Sequence, residues 1–406
     1  MNKPKLLYLA PFCNTPPTDG GSQRGINLLD QLTREYQVTL LTYYDPNNAQ
    51  TLQTWTIHRG ITVHWFHKKP TYHRQGSFFE RLLASRPPGF ATHDPLGLIN
   101  DIDRVWTEQG PFDILYFATQ LMGQVLLKTH WPAKQVLDLY DVYTPIARAK
   151  IKQVPPWRPY HWLFRLEALR VRLLETRLFK LFDLVVTISE EDAKIVSKLN
   201  AATPITIIPN GVSLPPEIAR TSTNVKSILM VANFYYPPNE EGVCWFYEQV
   251  WPTVRYIHPK VNLCLVGSHS QTLEKLTKDD EQVEWAGTAP DLAPYYQQAV
   301  CVIVPILSGS GTRLKLLEAM AWGIPTVSTS LGAQGIEHAN TVILADSPED
   351  FARAIVRCIL SPEIFDPSTL KAREIIVQRF SWDTIGQKLL SSLSKLIYPE
   401  EADGLL

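Results

Sequence analysis

Apolar residues in this chain gather in short unbroken runs, and between the runs they recur at helical spacing. The first run is Leu6-Leu7-Tyr8-Leu9-Ala10. Pro11, Pro16, Pro17 and Asp19-Gly20-Gly21 break it, and Ile26, Leu28, Leu29 and Leu32 then follow with a helical period. That is strand, glycine turn, helix. Val38 to Tyr43, Ile61 to Phe66, Ile114 to Phe117 and Val136 to Leu139 supply further strands. Runs without a polar face suit strands covered on both sides, so the alternation predicts an α/β, doubly wound parallel sheet.

Leu184 to Ile188 predicts another strand, and Ser189 before Glu190, Glu191 and Asp192 predicts a capped, acidic helix start. After Ile205 to Ile208 and the turn Pro209-Asn210-Gly211, residues 213–226 carry Pro215 and Pro216 and lose all apolar periodicity. They read as a linker. The strand and helix rhythm restarts with Ile228 to Val231, a helix through Trp245 and Phe246, Val261 to Val266 and Val300 to Pro305. Two Rossmann-like domains are expected, residues 1–215 and 216–380, with residues 381–406 as a C-terminal helix that crosses back to the first. Ligands of open parallel sheets sit at the carboxyl ends of strands, so the chemistry belongs in the loops there.

Residues 309–318 read G-S-G-T-R-L-K-L-L-E and follow such a strand, while Leu314, Leu317 and Ala321 begin a helix. Gly309 and Gly311 permit close backbone approach, and the free amides at a helix start favour an anion. Arg313 and Lys315 place two cations in that first turn. Beside the positive end of the helix dipole they cost about 0.3–1 kcal/mol each unless something negative offsets them. A bound phosphate resolves that conflict, whereas a glycine turn with both cations in solvent leaves it standing.

Composition then narrows the classes. The 406 residues are 45% hydrophobic, enough for two cores. With 39 basic and 40 acidic residues there is no net field to attract nucleic acid. The five cysteines lie far apart, with neither C-x-x-C nor H-E-x-x-H spacing, so reduced core cysteines and no metal site are expected. The first run is too short for a signal peptide and no run approaches a bilayer span, so a cytoplasmic protein is expected. Residues 158–180 interleave Arg165, Arg170, Arg172 and Arg177 with Trp162, Leu163, Phe164, Leu166 and Leu173. Three readings stay open there: a surface helix packed on its apolar side, weak contact with lipid headgroups at the inner face of a membrane, or contact with an anionic acceptor. Phe78, Phe79, Leu82 and Leu83 beside Arg81 and Arg86 raise the same choice.

The stretch from Gly309 to Val327 resembles the donor-binding signature of GT-B glycosyltransferases of glycosyltransferase family 4. P-T-D-G-G-S-Q-R-G, V-V-T-I-S-E-E-D, I-I-P-N-G-V, P-P-N-E-E-G-V-C-W-F and G-T-A-P-D-L-A-P-Y-Y match in order, so the resemblance spans nearly the whole chain. It implies two domains facing a cleft, the first on the acceptor side and the second holding a nucleotide-sugar donor. It further implies a retaining, metal-independent transfer to a glycan, lipid-linked or small-molecule acceptor, with no cofactor.

By this resemblance Glu318 accepts hydrogen bonds from the donor ribose, and Arg313 and Lys315 hold the diphosphate. Gly20 and Gly21 approach the donor phosphates from the first domain, and Thr288 and Ala289 meet the base through their backbone. Asp141, after the strand ending at Leu139, contacts the donor sugar or the acceptor hydroxyl. Ser310 stands where the family's first motif glutamate is expected, so Ser310, Gly311 and Thr312 take its place as donor contacts. Trp285 is read as a core residue or a stacking partner of the base. A sugar-nucleotide epimerase or hydrolase, and a non-catalytic nucleotide-sugar-binding subunit, are the rival readings.

Overall fold

A computed structural model describes residues 3–17, 20–67, 82, 87, 90, 94–152, 154–215, 227–268, 271–289, 291–308, 314–336 and 341–399. The chain divides into two compact units.

In the first unit seven strands, β1 (Lys5–Leu9), β2 (Gln37–Tyr43), β3 (Thr62–Phe66), β4 (Ile114–Phe117), β5 (Lys134–Leu139), β6 (Leu184–Thr187) and β7 (Ile205–Ile207), form one sheet. Its order is β3-β2-β1-β4-β5-β6-β7 and every pairing is parallel. Leu6, Leu7, Tyr8 and Leu9 are at most 1% exposed, as unbroken apolar runs require of strands with helices on both faces. The strand order reverses beside β1, and the helix Gly20–Leu32 starts at that switch point. Ser189 caps the helix Glu190–Leu199 by accepting the Asp192 N–H at 3.1 Å, as its local sequence predicts.

The second unit repeats the plan with β8 (Ser227–Val231), β9 (Asn262–Val266), β10 (Val283–Gly287), β11 (Ala299–Val304), β12 (Thr326–Ser328) and β13 (Ile343–Leu344). The order is β10-β9-β8-β11-β12-β13, again all parallel. β12 and β13 hold three and two residues. No period can be read from such lengths, and the sequence did not predict them as strands. All five cysteines are free.

The division falls at Pro209/Asn210, not after residue 215. Long-range pairing moves it: the Val212 N–H donates to the Phe380 carbonyl at 2.8 Å, Val212 bridges Ser381, and Arg373 donates to the Pro215 carbonyl at 2.8 Å. Residues 210–215, expected to close the first domain, therefore group with the second unit. At the other end the helix Trp382–Ile397 changes units within its first turns, and from Gly386 onward the chain groups with the first unit. A Cβ on Gly386 would lie 2.4 Å from Oε1 of Gln31, and Thr206 and Ser392 hydroxyls meet at 3.2 Å.

Candidate active site

The site residues of the second unit gather at the carboxyl ends of β8, β9, β10 and β11. Leu316, Leu317 and Met320 turn one face of the helix Leu314–Ala321 into the core. Lys315 and Glu318, three residues apart on its other face, are both half-buried. Lys315 Nζ donates to Oδ1 of Asn239. Asn239 is buried near the start of the helix Pro237–Trp245, and its Nδ2 donates to the Asn233 carbonyl at 2.7 Å. Asn233 Oδ1 in turn accepts from Ser268 Oγ at 2.9 Å, which joins the loops after β8 and β9.

Two glycines let these loops close up. Gly267 has φ +137°, and a Cβ there would lie 1.8 Å from the Ala232 carbonyl oxygen. A Cβ on Gly242 would lie 2.0 Å from the Pro305 oxygen, so its absence lets the helix Pro237–Trp245 pack against the end of β11. Ser308 Oγ donates to Glu241 Oε2 at 2.5 Å and ties the loop after β11 to the same helix.

Glu318 Oε2 accepts from the Tyr296 hydroxyl at 3.3 Å. Tyr296 is buried and stacks on Trp322 with ring centroids 5.1 Å apart. Burial first, and the Glu318 charge second, hold that phenol well above its ordinary value, so it stays a neutral donor to the carboxylate. Thr288 is exposed in the loop after β10, and Ala289 is half-buried against the cluster of Tyr296 and Trp322. Trp285 resolves to the core reading: it meets Phe234 edge-on at 5.3 Å and its Nε1 donates to Thr277 Oγ1 at 2.7 Å. Gly309, Ser310, Gly311, Thr312 and Arg313 lie outside the described residues.

In the first unit Gly20, exposed, and Gly21, half-buried, open the helix Gly20–Leu32, while Asp19 lies outside the described residues. One turn further, Arg24 is 1% exposed and faces Asp138 of β5 at 0%. Arg24 Nη2 reaches Oδ1 at 2.7 Å and Nε reaches Oδ2 at 2.9 Å, a two-pronged pair, and Nη1 donates to the Pro209 carbonyl at 3.1 Å. Burial alone would lower this guanidinium; the Asp138 charge and hydrogen bonds outweigh it and raise it. The pair clamps the first helix onto the end of β5. Asp138 is thereby committed to structure.

Asp141 follows β5 and keeps an exposed side. Its carboxyl is nevertheless pushed up to about 6, first by desolvation from the surrounding protein and then by the charge of Asp192. A second carboxylate fixes the loop that carries it. Glu175, fully buried, accepts the N–H groups of Tyr143 at 2.6 Å and Thr144 at 3.0 Å and the Thr144 hydroxyl at 2.5 Å. Buried Gln120 donates to the Asp141 carbonyl at 3.1 Å.

Asn239, Tyr296 and Glu175 were not singled out from sequence. Asn239 and Tyr296 sit inside strings that matched the family, but residue type alone did not show what they touch. At the end of β3, His67 N–H donates to buried Asp101 at 3.0 Å and its ring Nδ1 meets the same carboxylate, a pair with no sequence signal. Among the described residues no group of His, Cys, Asp and Glu could hold a metal ion, and no helix is long and apolar enough to cross a membrane.

Residues 225–361 match the family model described as Glycosyl transferases group 1, a stretch that includes Lys315 and Glu318. A stretch of 140 residues is 29% identical to a Klebsiella pneumoniae protein described as an uncharacterized 44.6 kDa protein in the cps region, covering 32% of this chain and 36% of that one. The match thus spans about a third of that relative's length. Anabaena HepE, solved with UDP and glucose and separately with UDP-glucose, superposes with a TM-score of 0.64 at 16% identity, covering 96% of this chain and 99% of its own. A glycosyltransferase from Rickettsia africae superposes with a TM-score of 0.66 at 14% identity, covering 98% and 99%. The chain therefore has the α/β GT-B fold, and within its second unit residues 225–361 are similar to the glycosyl transferases group 1 model.

Proposed function

We propose that this chain, in which residues 225–361 match the glycosyl transferases group 1 model, is a retaining glycosyltransferase of family 4 that moves a sugar from a nucleotide diphosphate donor to an acceptor hydroxyl. Glycan, polysaccharide or glycolipid synthesis is the setting we assign it. One observation carries the reading: Lys315 and Glu318, both half-buried, share one face of a helix that begins after β11, within the matched segment. In this reading Glu318 accepts the ribose hydroxyls, and Tyr296 steadies it. Arg313, Lys315 and the amides from Gly309 to Thr312 receive the diphosphate, and no metal is required.

The bond from the anomeric carbon to the phosphate oxygen breaks as the acceptor oxygen bonds to that carbon on the same face. The acceptor proton ends on the departing phosphate. Negative charge grows on the diphosphate in the transition state, where fixed cations act most strongly.

A thermal-shift panel of UDP-, GDP-, ADP- and dTDP-sugars tests donor binding, because a ligand held by the native state alone raises the melting temperature. One base is expected to stand out, and Glu318→Ala to weaken its binding about 10- to 100-fold, the size of a lost charge-assisted hydrogen bond or two. Labelled donor then separates the alternatives. Label on an acceptor supports transfer, free labelled sugar a hydrolase, an inverted sugar centre an epimerase, and tight binding without turnover a non-catalytic subunit.

Asp141 yields a prediction in pH. Its carboxyl, pushed up to about 6, is ionised only above that value, so an ionised Asp141 accepting the acceptor hydroxyl makes kcat/KM rise through pH 6 from the acid side. Asp141→Asn is expected to lower the plateau and abolish that limb. A variant that keeps the limb unchanged removes Asp141 from the reaction.

A further inference from the structure

The helix Pro159–Leu178 buries Leu163, Ala168, Val171 and Leu178 together with both of its acids, Glu167 and Glu175. Trp162, Arg165, Leu169, Arg172 and Leu173 recur at helical spacing on its other side, and all five are exposed. Trp157, just before the helix, is 81% exposed and Trp162 62%. The Arg165 guanidinium lies 5.2 Å over the Trp162 ring. The neighbouring helix Tyr143–Lys152 packs against this one and adds exposed Ile146, Arg148, Lys150 and Lys152.

Charge is sorted here more sharply than in the whole chain. Residues 143–178 hold eight Arg and Lys against two Glu, in a molecule of net charge −1. Both Glu are buried, and seven of the eight cations are exposed; Arg170, half-buried, donates to the Leu82 carbonyl at 3.0 Å. Among the described residues of these two helices, water therefore meets cations, tryptophan and leucine on this face, with no exposed carboxylate among them. Packing against the protein explains the buried side of the helix. It leaves the outer side unexplained.

We propose that this face seats the protein on an anionic bilayer surface, with Trp157 and Trp162 at headgroup depth and Arg165 and Arg172 on lipid phosphates. Tryptophan and arginine suit that boundary because each joins a flat apolar body to a polar edge. A second copy of the chain fits poorly, since a two-fold interface lays the same cations on one another. Leu169 and Leu173 gain nothing from a nucleic acid backbone but lose water at the acyl boundary. The proposal goes beyond sugar transfer and does not depend on it.

The test is sedimentation of the full chain with phosphatidylcholine vesicles, pure or with phosphatidylglycerol as about a quarter of the lipid. Binding to the anionic vesicles alone is expected, with a blue shift of tryptophan emission and a loss as salt screens the charges. Arg165→Gln with Arg172→Gln is expected to weaken binding about 25-fold, roughly fivefold per charge. Trp157→Ser with Trp162→Ser is expected to weaken it about tenfold or more. All four side chains are exposed, so the melting temperature stays at the wild-type value in both double variants and confirms that the fold is intact. Absent vesicle binding, equal binding to both vesicle types, wild-type binding by the variants, or a dimer in light scattering that the variants lose, each overturns the proposal.

Discussion

Lys315→Ala is expected to lower kcat/KM for sugar transfer by about 10²–10³, the loss typical of removing one preorganised group that meets developing charge. Lys315 reaches this position because Leu316, Leu317 and Met320 anchor its helix from below, while Asn239 holds its ammonium from the first turn of the helix Pro237–Trp245. The half-buried side chain makes no contribution to the core, so circular dichroism and the melting temperature are expected to stay near wild type. Arg313→Ala should show a comparable loss. Asn239→Ala, which leaves the charge but releases its anchor, is expected to cost about tenfold, because misplacing a charged group costs less than removing it. Near-normal turnover in both Lys315→Ala and Arg313→Ala defeats the assignment of these cations to the diphosphate.

Arg24→Ala is expected to destabilise the first unit by about 3–5 kcal/mol, because it strands a buried carboxylate without its countercharge. Asp138 is 0% exposed and takes two prongs from Arg24, whose third nitrogen holds the Pro209 carbonyl where the first unit ends. Urea unfolding followed by circular dichroism measures the loss. Two units can melt in separate steps, so the first unit's transition is the one to follow. Arg24→Lys keeps the charge but not the two-pronged geometry and should fall between wild type and alanine. A loss below about 1 kcal/mol, the range of an exposed pair, shows that the clamp is not needed.

The two predictions draw on different kinds of information. Lys315 was singled out from its own neighbourhood, where glycines, cations and a helix start fall within ten residues. Arg24 was passed over, because a single arginine in a helix gives no sign of being buried. Its partner lies 114 residues away, and only the adjacency of β1, β4 and β5 brings Asp138 beneath it. Asp138, within β5, and Asp141, two residues after its end, are both acids at one strand end. Packing separated them, burying one against a guanidinium and leaving the other partly open with a raised carboxyl.

The same division runs through the fold. Mostly apolar runs of four residues or more were legible as strands, since most of their residues are buried and only a few polar ones, such as Asp138 in β5, interrupt them. β12 and β13 were not legible, being shorter than any period, and neither was the boundary at residue 209, which rests on Val212 pairing with Phe380 and Ser381. By itself the sequence determined the α/β class, the two-unit plan, the helix starts and the placing of Lys315 and Glu318 on one helix face, because each depends on residues a few positions apart. The tertiary structure alone decided that Asn239 holds Lys315, that Tyr296 serves Glu318, that Arg24 clamps Asp138 and that the arginine and tryptophan face is left exposed. Those pairings and exposures depend on which distant strands lie side by side, and no local pattern carries that information.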